Sequence, residues 1–186
     1  MIWLTKILKP LWIGVALAAG MYELSVNDKV ILIAEDYVGV TELPNTNNRS
    51  PEIDYWNKRL RIPMGSSYCA AFVSFVLDSA GVQVPSVRSG VAQHFITNKS
   101  ISAARVLDKR NIIPAGSIVV WKRGETWMGH VGIVTHDWSG PTGKTIEANT
   151  SPTDAGSQAD GDGVWRKRRT INPTAFFRIT HFTLIN

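Results

Sequence analysis

Cys69 is the only cysteine in this chain of 186 residues. That scarcity excludes an intramolecular disulfide and any multi-cysteine metal site. The length leaves no room for a second catalytic domain, although a globular part of about 150 residues can bury a substantial core. Internal repeats and low-complexity tracts are absent. Acidic residues are the minority charge, 15 Asp and Glu against 20 Lys and Arg, for a formal net charge of +5. Such a balance favours a polyanionic partner, whether nucleic acid, anionic lipid or anionic cell-wall polymer. No nucleic-acid-binding motif accompanies the charge, so nucleic acid is not expected. With 44% hydrophobic and 19% charged residues, neither wholesale disorder nor a multi-spanning membrane protein is indicated.

Long hydrophobic runs are also scarce. The one candidate runs from Leu11 to Tyr22 behind Lys6 and Lys9. Positive residues followed by an apolar stretch make the layout of an export signal or a weak membrane anchor, and Ala16-Leu17-Ala18 has the small-x-small form of a cleavage site. The motif falls inside the apolar run, and the run is shorter than the roughly 20 residues of an ordinary spanning helix, so a buried or amphipathic helix is the competing reading. As an anchor, it would leave the N-terminus cytoplasmic. Residues 1–25 are therefore set apart from a domain at 26–186, and the protein is expected to be exported or membrane-anchored.

Within that domain, Val30, Ile31, Ala34, Tyr37 and Val38 recur at helical spacing, with Asn27 or Asp28 as cap and Gly39 as stop. A loop rich in Pro and Asn over 44–51 precedes a short helix through Ile53, Tyr55, Trp56 and Leu60. A further helix runs from Tyr68 to about Ala80 with Ser66 or Ser67 as N-cap and Gly81 as stop. Another is expected from Ser89 through Phe95. The second half changes period: Ser117–Trp121, Val131–Thr135, Thr145–Ala148, Val164–Arg169 and Phe176–Thr180 read as short strands. Helices followed by strands predict an α+β domain with the N-terminal helices packed on a C-terminal antiparallel sheet.

Three short segments carry chemistry. A thiol is a nucleophile as its thiolate, which the partial positive charge of a helix N-terminus favours, and Cys69 falls in the first turn of its helix. It also shares a face with Phe72, Val73 and Val76, as a buried structural cysteine would. In Gly129-His130-Val131-Gly132-Ile133-Val134, alternation puts His130, Gly132 and Val134 on one face. Gly132 leaves room beside the imidazole, which suits the start of the Cys69 helix docking over that face. In Thr145-Ile146-Glu147-Ala148-Asn149-Thr150, the residues Thr145, Glu147 and Asn149 share a face from which a carboxylate or amide can orient the second imidazole nitrogen. The basic run Arg166-Lys167-Arg168-Arg169 behind Trp165 is either a solvated edge or a contact for an anionic surface.

Taken together, Tyr68-Cys69-Ala70-Ala71-Phe72-Val73-Ser74, Gly129-His130-Val131-Gly132-Ile133-Val134 and Ile146-Glu147-Ala148-Asn149-Thr150 resemble the CHAP family. That family comprises cysteine, histidine-dependent amidohydrolases and peptidases of papain-like fold, found in bacterial and phage cell-wall lysins. The resemblance runs from about Val30 to the C-terminus. It implies a peptidoglycan hydrolase that cuts an amide of the wall peptide, with Cys69 as nucleophile, His130 as general base and acid, Glu147 orienting His130 and Asn149 as a polar assistant. No cofactor is implied. Many members have Gln immediately before the cysteine, where this chain has Tyr68, so the side-chain part of the oxyanion hole is not carried over. Some members bind calcium, but Asp160-Gly161-Asp162-Gly163 lacks the spaced ligands and closing glutamate of a calcium loop and reads as a turn. Two rivals stand beside this reading: a thiol amidase for a non-wall amide, and a membrane-tethered binding module that keeps the scaffold without catalysis.

Overall fold

The computed structural model describes residues 23–153, 157 and 160–185. Of the expected export signal or anchor at residues 1–25, the part up to Tyr22, with its apolar run, lies outside these. Helix α1, Val26–Asp36, is capped by Ser25, whose side chain accepts from the Asp28 backbone N–H. The cap is thus Ser25 and not Asn27 or Asp28, because the helix begins one residue before Asn27. Helix α2, Pro51–Arg59, is capped by Ser50 and has Pro51 in its first turn, where a missing N–H costs nothing. Helix α3, Cys69–Ser79, has Tyr68 as N-cap and no side-chain cap bond, so neither Ser66 nor Ser67 serves. Every residue of α3 from Cys69 to Leu77 is buried, as expected of a helix that is apolar all round.

The helix expected at 89–95 is a single 3-10 turn, Ala92–Phe95. Two elements not anticipated follow it: strand β1, Ile101–Ser102, and helix α4, Ala103–Leu107. Both are too short to show a period. Strands β2 (Ile118–Arg123), β3 (Gly129–Val134), β4 (Thr142–Thr150), β5 (Gly163–Thr170) and β6 (Phe177–Thr183) complete the chain. They form one six-stranded sheet in the order β1-β6-β2-β3-β4-β5, and each neighbouring pair is antiparallel. The class is α+β.

Alternation along the strands divides the apolar residues between two cores. Ile118, Val120, Val131, Ile133, Ile146, Ala148 and Val164 cluster with α1, α2 and α3. Val119, Trp121, Val134, Ile179 and Phe182 cluster on the opposite face with Ala103 and Val106 of α4 and with Trp138. Each fully buried Phe, Ile or Leu contributes about 1.5–3 kcal/mol by leaving water.

That division corrects one expectation. Helix α3 packs on the face of Val131 and Ile133, not on the face of His130, Gly132 and Val134. Contact between the two elements at the site arises at the end of the sheet instead. Strands β3 and β4 pair only from Gly132↔Glu147 to Val134↔Thr145. Beyond Glu147, β4 meets the start of α3: the Tyr68 backbone N–H donates to Asn149 Oδ1 at 2.8 Å.

Candidate active site

Strand β3 brings His130 into the protein as its second residue, fully buried, with Trp121 of β2 directly across the ladder. The Trp121 ring meets the imidazole edge-on at 5.2 Å between centroids, and Phe177 of β6 does so at 6.4 Å. These rings exclude water and fix the imidazole plane. Nε2 of His130 lies 2.9 Å from Glu147 Oε2. Nδ1 is buried with no hydrogen-bond partner of ordinary geometry among the described residues. Since Nε2 is taken by the carboxylate, Nδ1 is the nitrogen left for the Cys69 thiol.

Glu147 is fully buried, which would be costly for a charge without partners. Its oxygens are accordingly saturated. Oε1 accepts from Arg169 Nε at 2.7 Å and from the Thr145 hydroxyl. Oε2 accepts from His130 Nε2 and from Arg169 Nη2. Burial pushes the carboxyl's pKa up, but the Arg169 and His130 bonds outweigh it and hold it at about 2. An ionised carboxylate can only accept, so Nε2 of His130 carries the hydrogen. Burial likewise opposes a charged imidazole, yet the Cys69 thiol first and Glu147 second raise the pKa of His130 to about 9. That raised proton affinity favours a protonated ring between Cys69 and the Glu147 carboxylate.

Cys69 is the first residue of α3 and only 6% exposed. A helix start without a side-chain cap leaves backbone N–H groups available there. Glu147 stands where the sequence placed it, against the second imidazole nitrogen. Asn149 does not share its face. The β4–β5 register slips between Ala148 and Thr150, and Asn149 takes a left-handed conformation with φ 60°. Its amide therefore turns to Tyr68 N–H, and its Nδ2 reaches Gly161 O at 3.3 Å. The Tyr68 side chain is fully buried, and its hydroxyl turns to Glu42 Oε1 at 3.3 Å and Gly161 O at 3.4 Å. Burial and the nearby Glu42 push that phenol's pKa up.

Sequence reading missed Arg169, which it grouped with a surface run. Alternation separates the four basic residues. Arg166 pairs with Glu35 of α1, and Arg168 is exposed. Lys167 is 5% exposed with Nζ on Ser151 O and Thr153 O, while Arg169 clamps Glu147. The signal was present: a residue two along from Lys167 and four from Trp165 must share their face. Asp160, Gly161 and Asp162 lie in the loop beside Asn149, and no cluster of His, Cys, Asp or Glu among the described residues is arranged to hold a metal ion. No helix among the described residues is long and apolar enough to cross a membrane.

Residues 61–149 match the family model described as the CHAP domain. Over that segment, just under half of its length, the chain is similar to the CHAP domain. The family is generally hydrolytic, comprising amidases and peptidases, and implies a peptidoglycan-type substrate. No curated protein and no solved structure matches the chain. The CHAP match opens just before α3 and closes at Asn149, so it takes in Cys69, His130, Glu147 and Asn149 and leaves Arg169 beyond its end.

Proposed function

We propose that this CHAP-like domain is a thiol hydrolase that cuts an amide bond in the peptide part of peptidoglycan, with a papain-like arrangement of a cysteine helix against a histidine strand. The observation that carries the reading is a buried imidazole whose Nε2 is fixed by an ionised Glu147 and whose raised proton affinity comes first from Cys69. The thiolate of Cys69 attacks the substrate carbonyl carbon, and the carbonyl oxygen becomes an oxyanion held by backbone N–H groups at the start of α3. As the C–N bond breaks, the imidazolium of His130 gives its Nδ1 proton to the leaving amine. A thioester and a neutral imidazole remain. Water then adds to the thioester while His130 takes its proton, and the C–S bond breaks to release the acid and restore the thiolate-imidazolium pair.

Glu147 keeps the ring in its orientation throughout. Asn149 assists by tying the residue before the nucleophile to β4, and the oxyanion hole is built from backbone, since the Tyr68 hydroxyl points to Glu42 and Gly161. Acting on the wall requires delivery to it, by export or by membrane anchorage through the Leu11–Tyr22 run.

Mass spectrometry of purified peptidoglycan fragments after digestion with the full chain tests this, with the Cys69→Ala and His130→Ala proteins beside it. New amine and acid ends should appear with the native protein and disappear in both variants, whose far-ultraviolet circular dichroism stays native. Full activity in either folded variant removes the mechanism. Intact wall in all three samples removes the substrate assignment.

A further inference from the structure

Arg169 reaches the site from β5, two strands away from His130 and outside the segment that matches the CHAP model. Its guanidinium grips both oxygens of Glu147 and lies over the Trp121 ring with Cζ 5.7 Å from the centroid. The same Trp121 packs edge-on against His130. Guanidinium, carboxylate, imidazole and thiol thus form one series across β5, β4, β3 and the start of α3. The two ends approach water, with the Arg169 side chain 12% exposed and Cys69 6%, while Glu147 and His130 between them are fully buried.

In a buried site uncompensated charge is expensive. An imidazolium facing a lone Glu147 carboxylate is already neutralised, so a thiolate at Cys69 would add an unbalanced negative charge. With the carboxylate paired to a guanidinium, the imidazolium's remaining counter-charge is the thiolate. We infer that Arg169 is a positioning residue for the Cys69–His130 pair, which neutralises Glu147 and fixes the plane of its carboxylate so that the thiolate-imidazolium state is the balanced one. It acts through Glu147 and touches neither thiol nor substrate. Among the described residues the ionisable groups facing Glu147 are Arg169 of β5 and His130 of β3, with Cys69 of α3 behind the imidazole. β2 and β6 present the uncharged rings of Trp121 and Phe177, and Thr145 of β4 adds a hydroxyl.

This inference rests on the proposed thiol chemistry at Cys69 and His130 but not on the wall as substrate, and the single thiol of the chain allows a test without substrate. The rate of Cys69 alkylation by iodoacetamide follows the thiolate fraction. It would be measured across pH on the full chain and on Arg169→Met, Arg169→Lys, His130→Ala and the double variant Glu147→Gln/Arg169→Met, with thermal unfolding recorded for each. In Arg169→Met the rising limb should move to higher pH by about one unit, the low end of the scale for a lost neighbouring charge, because Arg169 acts through Glu147. Arg169→Lys, which keeps the charge, should return most of that shift. The double variant, which removes the carboxylate and the guanidinium together, should lie closer to the native limb than Arg169→Met does, and it supplies the comparison if Arg169→Met fails to fold. A native limb in folded Arg169→Met, or a double variant shifted as far as Arg169→Met or, where that single variant is unfolded, as far as His130→Ala, overturns the inference. A native limb in His130→Ala overturns the thiol-imidazole reading itself, a separate failure.

Discussion

Substituting Gly132 by alanine would place a methyl group in space that Glu147 already occupies. Gly132 lies directly across the β3–β4 ladder from Glu147. A Cβ built there would stand 2.6 Å from Glu147 Cγ and 3.1 Å from the Ile146 carbonyl oxygen, against about 3.5–4.0 Å for a comfortable carbon contact. About 1 Å must therefore be found. The Ile146 carbonyl belongs to the β4 backbone and cannot swing away. The Glu147 side chain would ordinarily rotate clear, but Arg169, Thr145 and His130 hold both of its oxygens. Overpacking of this kind costs about 1–3 kcal/mol, against which stiffening of the unfolded chain by alanine returns about 0.4–1 kcal/mol, so the variant is less stable on balance. The larger effect is functional. A shift of about 1 Å at Glu147 spoils its bond to His130, and misplacements of that size cost on the order of 100-fold in rate. Peptidoglycan hydrolysis should show kcat reduced by about 10- to 100-fold with KM little changed, alongside a lowered Tm. Native kcat and native Tm together would refute the claim that Glu147 is locked and that its lock orients His130.

Three further outcomes are expected. His130 has a raised pKa in the fold, so its contribution to stability is complete below the unfolded value of about 6.5 and fades as pH rises through about 9; Glu147, with a depressed pKa, contributes fully above about 4.5 and loses this as pH falls through about 2. Unfolding midpoints measured against pH should decline on both sides of a plateau between those unfolded values, and Glu147→Gln should flatten the acid side. Asn149→Ala leaves the Tyr68 N–H, bonded at 2.8 Å, without its acceptor and puts a residue with Cβ and no polar group at φ 60°, so denaturant unfolding should report a loss of about 2–4 kcal/mol. Lys167→Ala, which removes the bonds to Ser151 O and Thr153 O, should cost about 1–3 kcal/mol by the same measurement; exposed Arg168→Ala should stay within about 0.5 kcal/mol and instead weaken pelleting with cell wall at low salt.

Much of the site was readable from the chain alone because its parts sit on regular elements whose period fixes direction. Alternation put Glu147 on the polar face of its strand, and the apolar run from Ala70 to Leu77 announced the buried helix whose first residue is Cys69. The same rule failed at Asn149, two residues on, because a register slip between Ala148 and Thr150 resets the alternation, and nothing in Ile146-Glu147-Ala148-Asn149-Thr150 marks the slip except an asparagine, a residue that tolerates the left-handed conformation. The face chosen by α3 was misread for a related reason: periodicity says which residues share a face but not which face a helix covers. Here the small and branched side chains of Val131, Ile133, Ile146 and Ala148 lie on one side and His130 with Glu147 on the other, so the helix covers the first and meets the imidazole only where β3 and β4 cease to pair.

Arg169 shows how composition can mislead where pairing decides. Four basic residues in a row invite a single electrostatic reading, yet a strand turns each neighbour to the opposite face. Arg166 goes to Glu35 on the helical side, and Arg169 goes to Glu147 on the other. Which of them meets a carboxylate depends on the register of β5 against β4, where Trp165 stands opposite Glu147 and Arg169 opposite Gly143. Gly143 carries no side chain, and the Trp138 ring fills the space that a Cβ there would take. The glycine opposite Arg169 and the glycine opposite Glu147 thus serve different neighbours: Gly143 of β4 makes room for the Trp138 ring, and Gly132 makes room for the Glu147 side chain that Arg169 holds.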